Sequence, residues 1–185
     1  MQTFLIIVGI VVLGAIFMYN SLIAKKNQVN NVFASLDAML KKRYDLLPNL
    51  VASVQEYANH EKSTLEQITT LRTQALSNNQ NLHKTIEIDA NISKLLGGLM
   101  ISVESYPDLK ANENFLHLQH TLNELEEQIS AARRAYNQSV TDYNNALEMF
   151  PTTLMAGYMR LEQKALFKIP VHERNSVDVK KLFKH

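Results

Sequence analysis

Cysteine is absent from the 185-residue chain, which removes disulfides, thiolate metal ligands, cysteine nucleophiles and a lipid-modified cysteine anchor in one step. Glycine and proline are scarce, 5 and 4 residues respectively, so the chain has few of the residues that punctuate sheets and loops. Long stretches free of both point to helices. The formal net charge of +1 lacks the basic excess of a nucleic-acid binder, so nucleic acid is not an expected partner. No Gly-rich phosphate loop, nucleophile-elbow serine or His-Glu-x-x-His zinc motif occurs, and little loop remains from which to build a pocket. The expectation is a non-enzymatic protein that uses no cofactor.

Charged side chains are missing altogether from residues 1–24, and residues 4–17 are apolar or glycine throughout. Such a run exceeds the roughly 20 residues needed to cross the hydrocarbon of a bilayer, so residues 1–24 read as a transmembrane anchor. Gly9 and Gly14 have the wrong spacing for a GxxxG dimer face. A cleaved signal peptide would need a basic n-region and small residues at its cleavage site. Met1-Gln2-Thr3 has no basic side chain, and Tyr19-Asn20-Ser21-Leu22-Ile23-Ala24 is a poor cleavage site, so an uncleaved anchor is favoured. Lys25 and Lys26 follow at once, with Lys41, Lys42 and Arg43 further along. The positive-inside rule therefore predicts the N-terminus outside and the soluble part in the cytoplasm.

Beyond Ala24 the apolar residues take up helical spacing. Val29, Val32, Phe33, Leu36, Met39, Leu40, Leu47, Leu50, Val51, Val54 and Tyr57 form one stripe, continuous with the anchor and crossed by Pro48. A proline there removes an amide donor and crowds the preceding turn, so a bend at residues 44–47 is expected. The pattern pauses near Asn59 and resumes as Leu65, Ile68, Leu71 and Ala75. Next comes a polar run at 77–81, then Leu82, Ile86, Ile92, Leu95, Leu96, Leu99, Val103 and Tyr106 before Pro107-Asp108. The last long stripe steps by threes and fours: Phe115, Leu118, Leu122, Leu125, Ile129, Ala132, Tyr136, Val140, Tyr143, Leu147 and Phe150, with Asn112 as the N-cap and Phe150-Pro151 as the stop. Its heptad-like, coiled-coil spacing carries a stutter at Ala132, Tyr136 and Val140. If residues 77–81 are a tight reversal, four helices result; if they are a kink, three. Three asparagines in that run favour reversal. The expected fold is all-α: an N-terminal transmembrane helix continuous with an up-and-down antiparallel four-helix bundle. The divisions are 1–24 for the anchor, 25–150 for the bundle and 151–185 for an amphipathic helix with a basic tail.

Several segments resemble the LemA family in the family's own order. They are Tyr19-Asn20-Ser21-Leu22, Leu40-Lys41-Lys42-Arg43-Tyr44-Asp45-Leu46-Leu47-Pro48-Asn49-Leu50-Val51, Tyr57-Ala58-Asn59-His60-Glu61-Lys62-Ser63-Thr64-Leu65-Glu66, Val103-Glu104-Ser105-Tyr106-Pro107-Asp108-Leu109-Lys110-Ala111-Asn112-Glu113-Asn114-Phe115, Ala131-Ala132-Arg133-Arg134-Ala135-Tyr136-Asn137, Tyr143-Asn144 and Phe150-Pro151. The resemblance covers roughly residues 19–155. It implies a single-pass protein of the bacterial inner (plasma) membrane with a four-helix bundle and no assigned catalytic activity. The tail beyond Phe150 departs from the family pattern, lacking a Gly-rich, Phe-containing run.

Polar residues inside the apolar helices are the candidate sites. Arg43, Asp45, Asn49, Arg133, Arg134, Asn137 and Asn144 read as a hydrogen-bonded, ion-paired layer that fixes helix register, with a ligand or partner patch as the sharper alternative. Asp45 with Arg133 or Arg134 is the expected pair. His117 and His120 lie one turn apart with Glu113 and Glu124 nearby, but a di-metal bundle needs a second Glu-x-x-His copy, so no metal is expected. From 152 to 168, Leu154, Tyr158, Leu161 and Ala165 share one helical face while Arg160, Lys164 and Lys168 recur every four residues. A basic amphipathic helix of this kind either lies on an anionic bilayer surface or packs on the bundle. The leading functional expectation is a structural or interaction scaffold of the bacterial envelope, with the bilayer, other envelope proteins and further copies of itself as partners. A single-pass sensor or ligand-binding bundle is the alternative.

Overall fold

The computed structural model describes residues 1–77 and 82–167, and among these the chain is all-helical with no strand. Helix α1 (Gln2–Tyr57) runs 56 residues without interruption, a rod of roughly 84 Å at about 1.5 Å per residue. A 3-10 turn (Asn59–Glu61) reverses the chain into α2 (Lys62–Ser77). Then come α3 (Leu82–Val103), the single turn α4 (Pro107–Lys110), α5 (Glu113–Glu148) and the short α6 (Thr152–Tyr158). The polar run on which the choice between three and four helices turned lies, past Ser77, outside the described residues.

The two parts of α1 bury themselves differently. Its most apolar window is only 6% buried, so it is not the core helix of a water-soluble domain. Phe4, Leu5, Ile6, Ile7, Ile10, Val11, Leu13 and Phe17 all face outward on an uncovered cylinder. At Leu22 the pattern changes to a single stripe, and Leu22, Val29, Leu36, Leu40, Leu47, Leu50 and Val54 are fully enclosed. Each enclosed leucine or valine contributes about 1.5–3 kcal/mol relative to exposure. The same helix is therefore apolar all round at one end and one-faced at the other.

Facing that stripe is α5, whose buried residues Phe115, Leu118, Leu122, Leu125, Ile129, Tyr136, Val140, Tyr143 and Leu147 follow the spacing read from the sequence. Asn112 is the N-cap, its Oδ1 accepting from the Phe115 amide at 3.1 Å. Three contacts fix one antiparallel register along the pair: Asn112 with Tyr57, Glu126 with Arg43, and Tyr136 with Phe33. Helix α2 runs back against α1, and α2 and α3 lie side by side along a shallow groove lined by Ser63, Glu66, Leu71, Asn91, Lys94 and Leu95.

Pro48 does not end α1. Its missing amide leaves the Tyr44 carbonyl without an intrahelical donor, and Arg72 of α2 fills the vacancy, donating from Nε to Tyr44 O at 2.8 Å. The cost of a mid-helix proline is thereby partly offset by a contact that also ties α2 to α1.

Two expectations fail at the C-terminal end. Phe150 continues the α5 stripe in sequence, but α5 stops at Glu148 and Phe150 is exposed. The stretch 152–168 is not one amphipathic helix either. Helix α6 ends at Tyr158, where Leu161 N donates to Ala156 O at 3.1 Å and Arg160 N to Gly157 O at 3.1 Å. That is a Schellman cap, and it needs a left-handed residue, supplied by Arg160 at φ 50. Beyond it, residues 161–167 run without helix along α5, so Leu161 and Ala165 no longer share a helical face with Leu154 and Tyr158.

Candidate functional site

Midway along the α1 stripe, where another leucine would fit, stands Arg43, almost completely buried. Its guanidinium reaches three side chains on two other helices: Asp89 and Ser93 of α3, the latter at 3.1 Å, and Glu126 of α5 at 2.5 Å. Arg133 of α5 closes the circle, pairing with the other oxygen of Asp89 and with Glu126 at 3.4 Å. Two arginines and two carboxylates thus alternate in a ring whose charges cancel. Asp89 is as deeply enclosed as Arg43, Arg133 is mostly covered, and Glu126 opens to solvent. Burial pushes the Arg43 guanidinium below its ordinary value, and the Glu126 carboxylate opposes that shift.

Taking such charges out of water costs several kcal/mol per ion, and mutual attraction repays this only when every member is present. The ring joins α1, α3 and α5 through contacts in which each side chain relies on the others. Its satisfaction is incomplete: Arg43 Nε, Arg133 Nε and Tyr44 Oη are buried without a partner. Burial also raises the Tyr44 phenol above its ordinary value, with Arg43 opposing, which keeps it neutral beside the two arginines.

A second polar constellation lies closer to the α6 end of α5. Asn144 uses both ends of its amide on one residue, donating to Lys164 O and accepting from Lys164 N, each at 2.9 Å. Asn137 does the same to Phe167, at 2.8 and 2.7 Å. Beside them Tyr143 Oη donates to Glu162 O and Tyr136 Oη to Ala165 O, both at 3.2 Å. The geometry follows from two repeat lengths. Two helical turns rise about 10.5 Å over seven residues, and three extended residues cover about 10 Å. A Tyr-Asn pair repeated after seven residues therefore meets an extended chain every third residue. Phe167 plugs the end of the strap, edge-on to Tyr136 at 6.4 Å between centroids and under Arg133 at 5.5 Å. Burial raises the Tyr136 and Tyr143 phenols as well.

The sequence-derived set thus divides. Arg43 and Arg133 belong to the ring, and Asn137 and Asn144 to the strap. Asp45 and Asn49 are exposed and take no part in the ring, and Arg134 is exposed, bonded to Ser130 Oγ at 3.0 Å. The expected pairing of Asp45 with an arginine of α5 is corrected: Asp45 points away from the α1 stripe, and Asp89 supplies the charge. Asp89 was readable as the missing step between Ile86 and Ile92, because it falls on the α3 stripe where an apolar residue would be expected. Lys164, expected on a lipid-facing helix, donates to Asn30 Oδ1 of α1 at 2.5 Å, and burial first, then Lys26, lowers its amine. Arg160 is the left-handed residue just past the C-cap of α6, and Lys168 lies outside the described residues. His117 and His120 are exposed, and no cluster of three metal-ligating side chains occurs among the described residues.

Known proteins are similar to this chain in sequence. The protein LemA of Metamycoplasma hominis is 28% identical over 179 residues, covering 97% of this chain and 82% of that protein. The magnetosome protein MamQ 2 of Paramagnetospirillum magneticum is 23% identical over 172 residues, covering 78% of this chain and 63% of its own length. The magnetosome protein MamQ of Magnetospirillum gryphiswaldense is 31% identical over 77 residues, covering 40% of this chain. The chain thus spans less than two thirds of the MamQ relatives. The profile of the LemA family matches residues 32–180, a region that holds the ring, the strap and all of α5, and on that match the chain belongs to the LemA family.

Proposed function

We propose that this protein is a membrane-anchored, non-enzymatic scaffold of the bacterial envelope. In this reading residues 1–24 cross the inner membrane once, the remainder lies in the cytoplasm, and α1, α2, α3 and α5 form an up-and-down four-helix bundle that presents its surface to other envelope proteins or to further copies of itself. The observation that carries the reading is the continuity of α1. A window of mean hydropathy 2.4 that is 6% buried passes into the fully enclosed stripe beginning at Leu22 with no break in the helix. A surface apolar on every side is what lipid covers, and a rigid continuation is what holds a bundle at fixed height above it.

Family membership supports a membrane-associated protein and names no reaction. Relatives with such different names as LemA and magnetosome protein suggest a shared helical core, with partner choice carried by what differs between them. The ring and the strap fit a structural role, since each spends its polar groups on the protein's own chain.

Extraction and crosslinking from native membranes test the proposal. The protein is expected to stay with the membrane through high salt and carbonate and to leave only with detergent. A thiol placed near the N-terminus should react with a membrane-impermeant reagent added outside intact cells, whereas one on α3 should not. Affinity capture after crosslinking should return a stoichiometric envelope partner or a defined oligomer. Release by salt removes the anchor, and reversed labelling removes the cytoplasmic placement.

A further inference from the structure

Among the described residues outside the α1 run, the stretch just after α5 leaves large apolar side chains uncovered. Met149, Phe150, Leu154 and Tyr158 are 63%, 79%, 68% and 87% exposed. No charged residue interrupts the stretch between Glu148 and Arg160. Phe150, Leu154 and Tyr158 recur every four residues, and within α6 that spacing puts the last two on one side. The opposite side of α6 is spoken for: Ala156 is buried and Met155 packs against the core.

The register of α1 with α5 says where the patch sits. Tyr57 faces Asn112, Arg43 faces Glu126 and Phe33 faces Tyr136. Carried on at the same spacing, Phe150 comes level with Tyr19, the aromatic residue near the end of the uncharged run, itself 47% exposed. The returning tail agrees, since Lys164 bonds Asn30 and α6 packs on α1. The patch therefore lies beside the last turns of the apolar segment, with the basic residues Lys25, Lys26 and Arg160 close by in sequence.

We infer that Met149, Phe150, Leu154 and Tyr158 form a foot that inserts into the headgroup–acyl boundary of the leaflet through which α1 emerges. This rests on the anchoring proposed above and goes beyond it, since it gives the protein a second bilayer contact at a fixed distance along the chain from the first. Aromatic side chains with one polar end suit that boundary, and short apolar surfaces flanked by cations bind anionic interfaces. The foot differs from a basic helix lying on the surface: its contacts are apolar, come from the turn before α6 and from α6 itself, and exclude Lys164, which is held by Asn30.

The chain has no tryptophan, so single replacements report without background. Full-length protein carrying Phe150→Trp, Tyr158→Trp or, as a far-end control, the exposed Ile101→Trp would be reconstituted into vesicles of phosphatidylcholine and phosphatidylglycerol, with and without brominated acyl chains. The expected result is blue-shifted emission at positions 150 and 158, quenched several-fold more by brominated lipid than at position 101, where aqueous iodide should quench instead. Emission at 150 and 158 that behaves like that at 101 overturns the foot. So does a blue shift without bromine quenching, which would mean that protein, not lipid, covers the patch. Failure of the unsubstituted protein to float with the vesicles would overturn the anchor itself, a separate outcome read before any fluorescence.

Discussion

The ring around Arg43 and the strap around Asn137 and Asn144 solve the same problem, polar groups within an apolar interface, by opposite means. In the ring, charged side chains satisfy one another across three helices, so each depends on the identity of its partners. In the strap, neutral side chains satisfy the main chain of residues 162–167, which any residue except proline could supply. The first specifies which helices meet and at what height. The second specifies only that an extended chain runs past in register. One therefore constrains particular residues, and the other constrains conformation.

The largest test of that contrast is Asp89→Ala. It leaves Arg43 and Arg133 sharing only the half-exposed Glu126, and stability should fall by about 3–5 kcal/mol, read as a lowered thermal midpoint by circular dichroism in detergent. Replacing Arg43 and Asp89 together by leucine should cost much less than the sum of the single changes. Equal costs would mean that the ring is not a unit.

In the strap, Asn137→Ala combined with Asn144→Ala removes four hydrogen bonds to main chain. At about 0.5–1.5 kcal/mol each the loss is roughly 2–6 kcal/mol as an upper bound, and well below that where water replaces them. Limited proteolysis within 161–167 should accelerate, while cutting elsewhere keeps its rate. Arg72→Ala, which frees the Tyr44 carbonyl, should cost about 1–3 kcal/mol, and Pro48→Ala in the same chain should recover much of it by restoring the amide. Additive effects would break the link between Arg72 and the proline.

The tyrosines make the comparison sharpest. Tyr136→Phe removes a donor from the Ala165 carbonyl and should destabilise by about 0.5–1.5 kcal/mol. Tyr44→Phe removes a buried hydroxyl that has no partner, so stability should hold or rise. Two losses of equal size would mean that the Tyr44 hydroxyl is satisfied. The smallest effect is expected at the α6 cap, where Arg160→Gly relieves a left-handed backbone at φ 50 and should stabilise by about 0.5–1 kcal/mol, measured in the same melts.

These contrasts also explain how much could be read in advance. Repeating apolar spacing marks α5 from Phe115 to Leu147, with Asn112 as its cap, because burial of one face is written directly in side-chain type. The uncovered run before Lys25 was legible for the same reason. Asp89 escaped because a charge inside an apolar stripe looks like a gap until the arginines opposite it are known. The strap escaped because its recognition falls on the main chain, leaving residues 161–167 with no signature of their own, and Arg160 ends α6 without the glycine that usually marks such a cap. Pro48 does not end its helix, as the stripe continuing past it indicates, but the carbonyl it orphans is met from another helix, which local sequence does not show.

The unbroken length of α1 has a mechanical consequence. A domain tied to its anchor by a loop forgets which way the anchor faces. Here about seven turns of helix join Phe17 to Arg43, so the azimuth of one dictates the azimuth of the other. Phe17 and Arg43 thus keep one angular relation about a common axis, set by the number of residues between them.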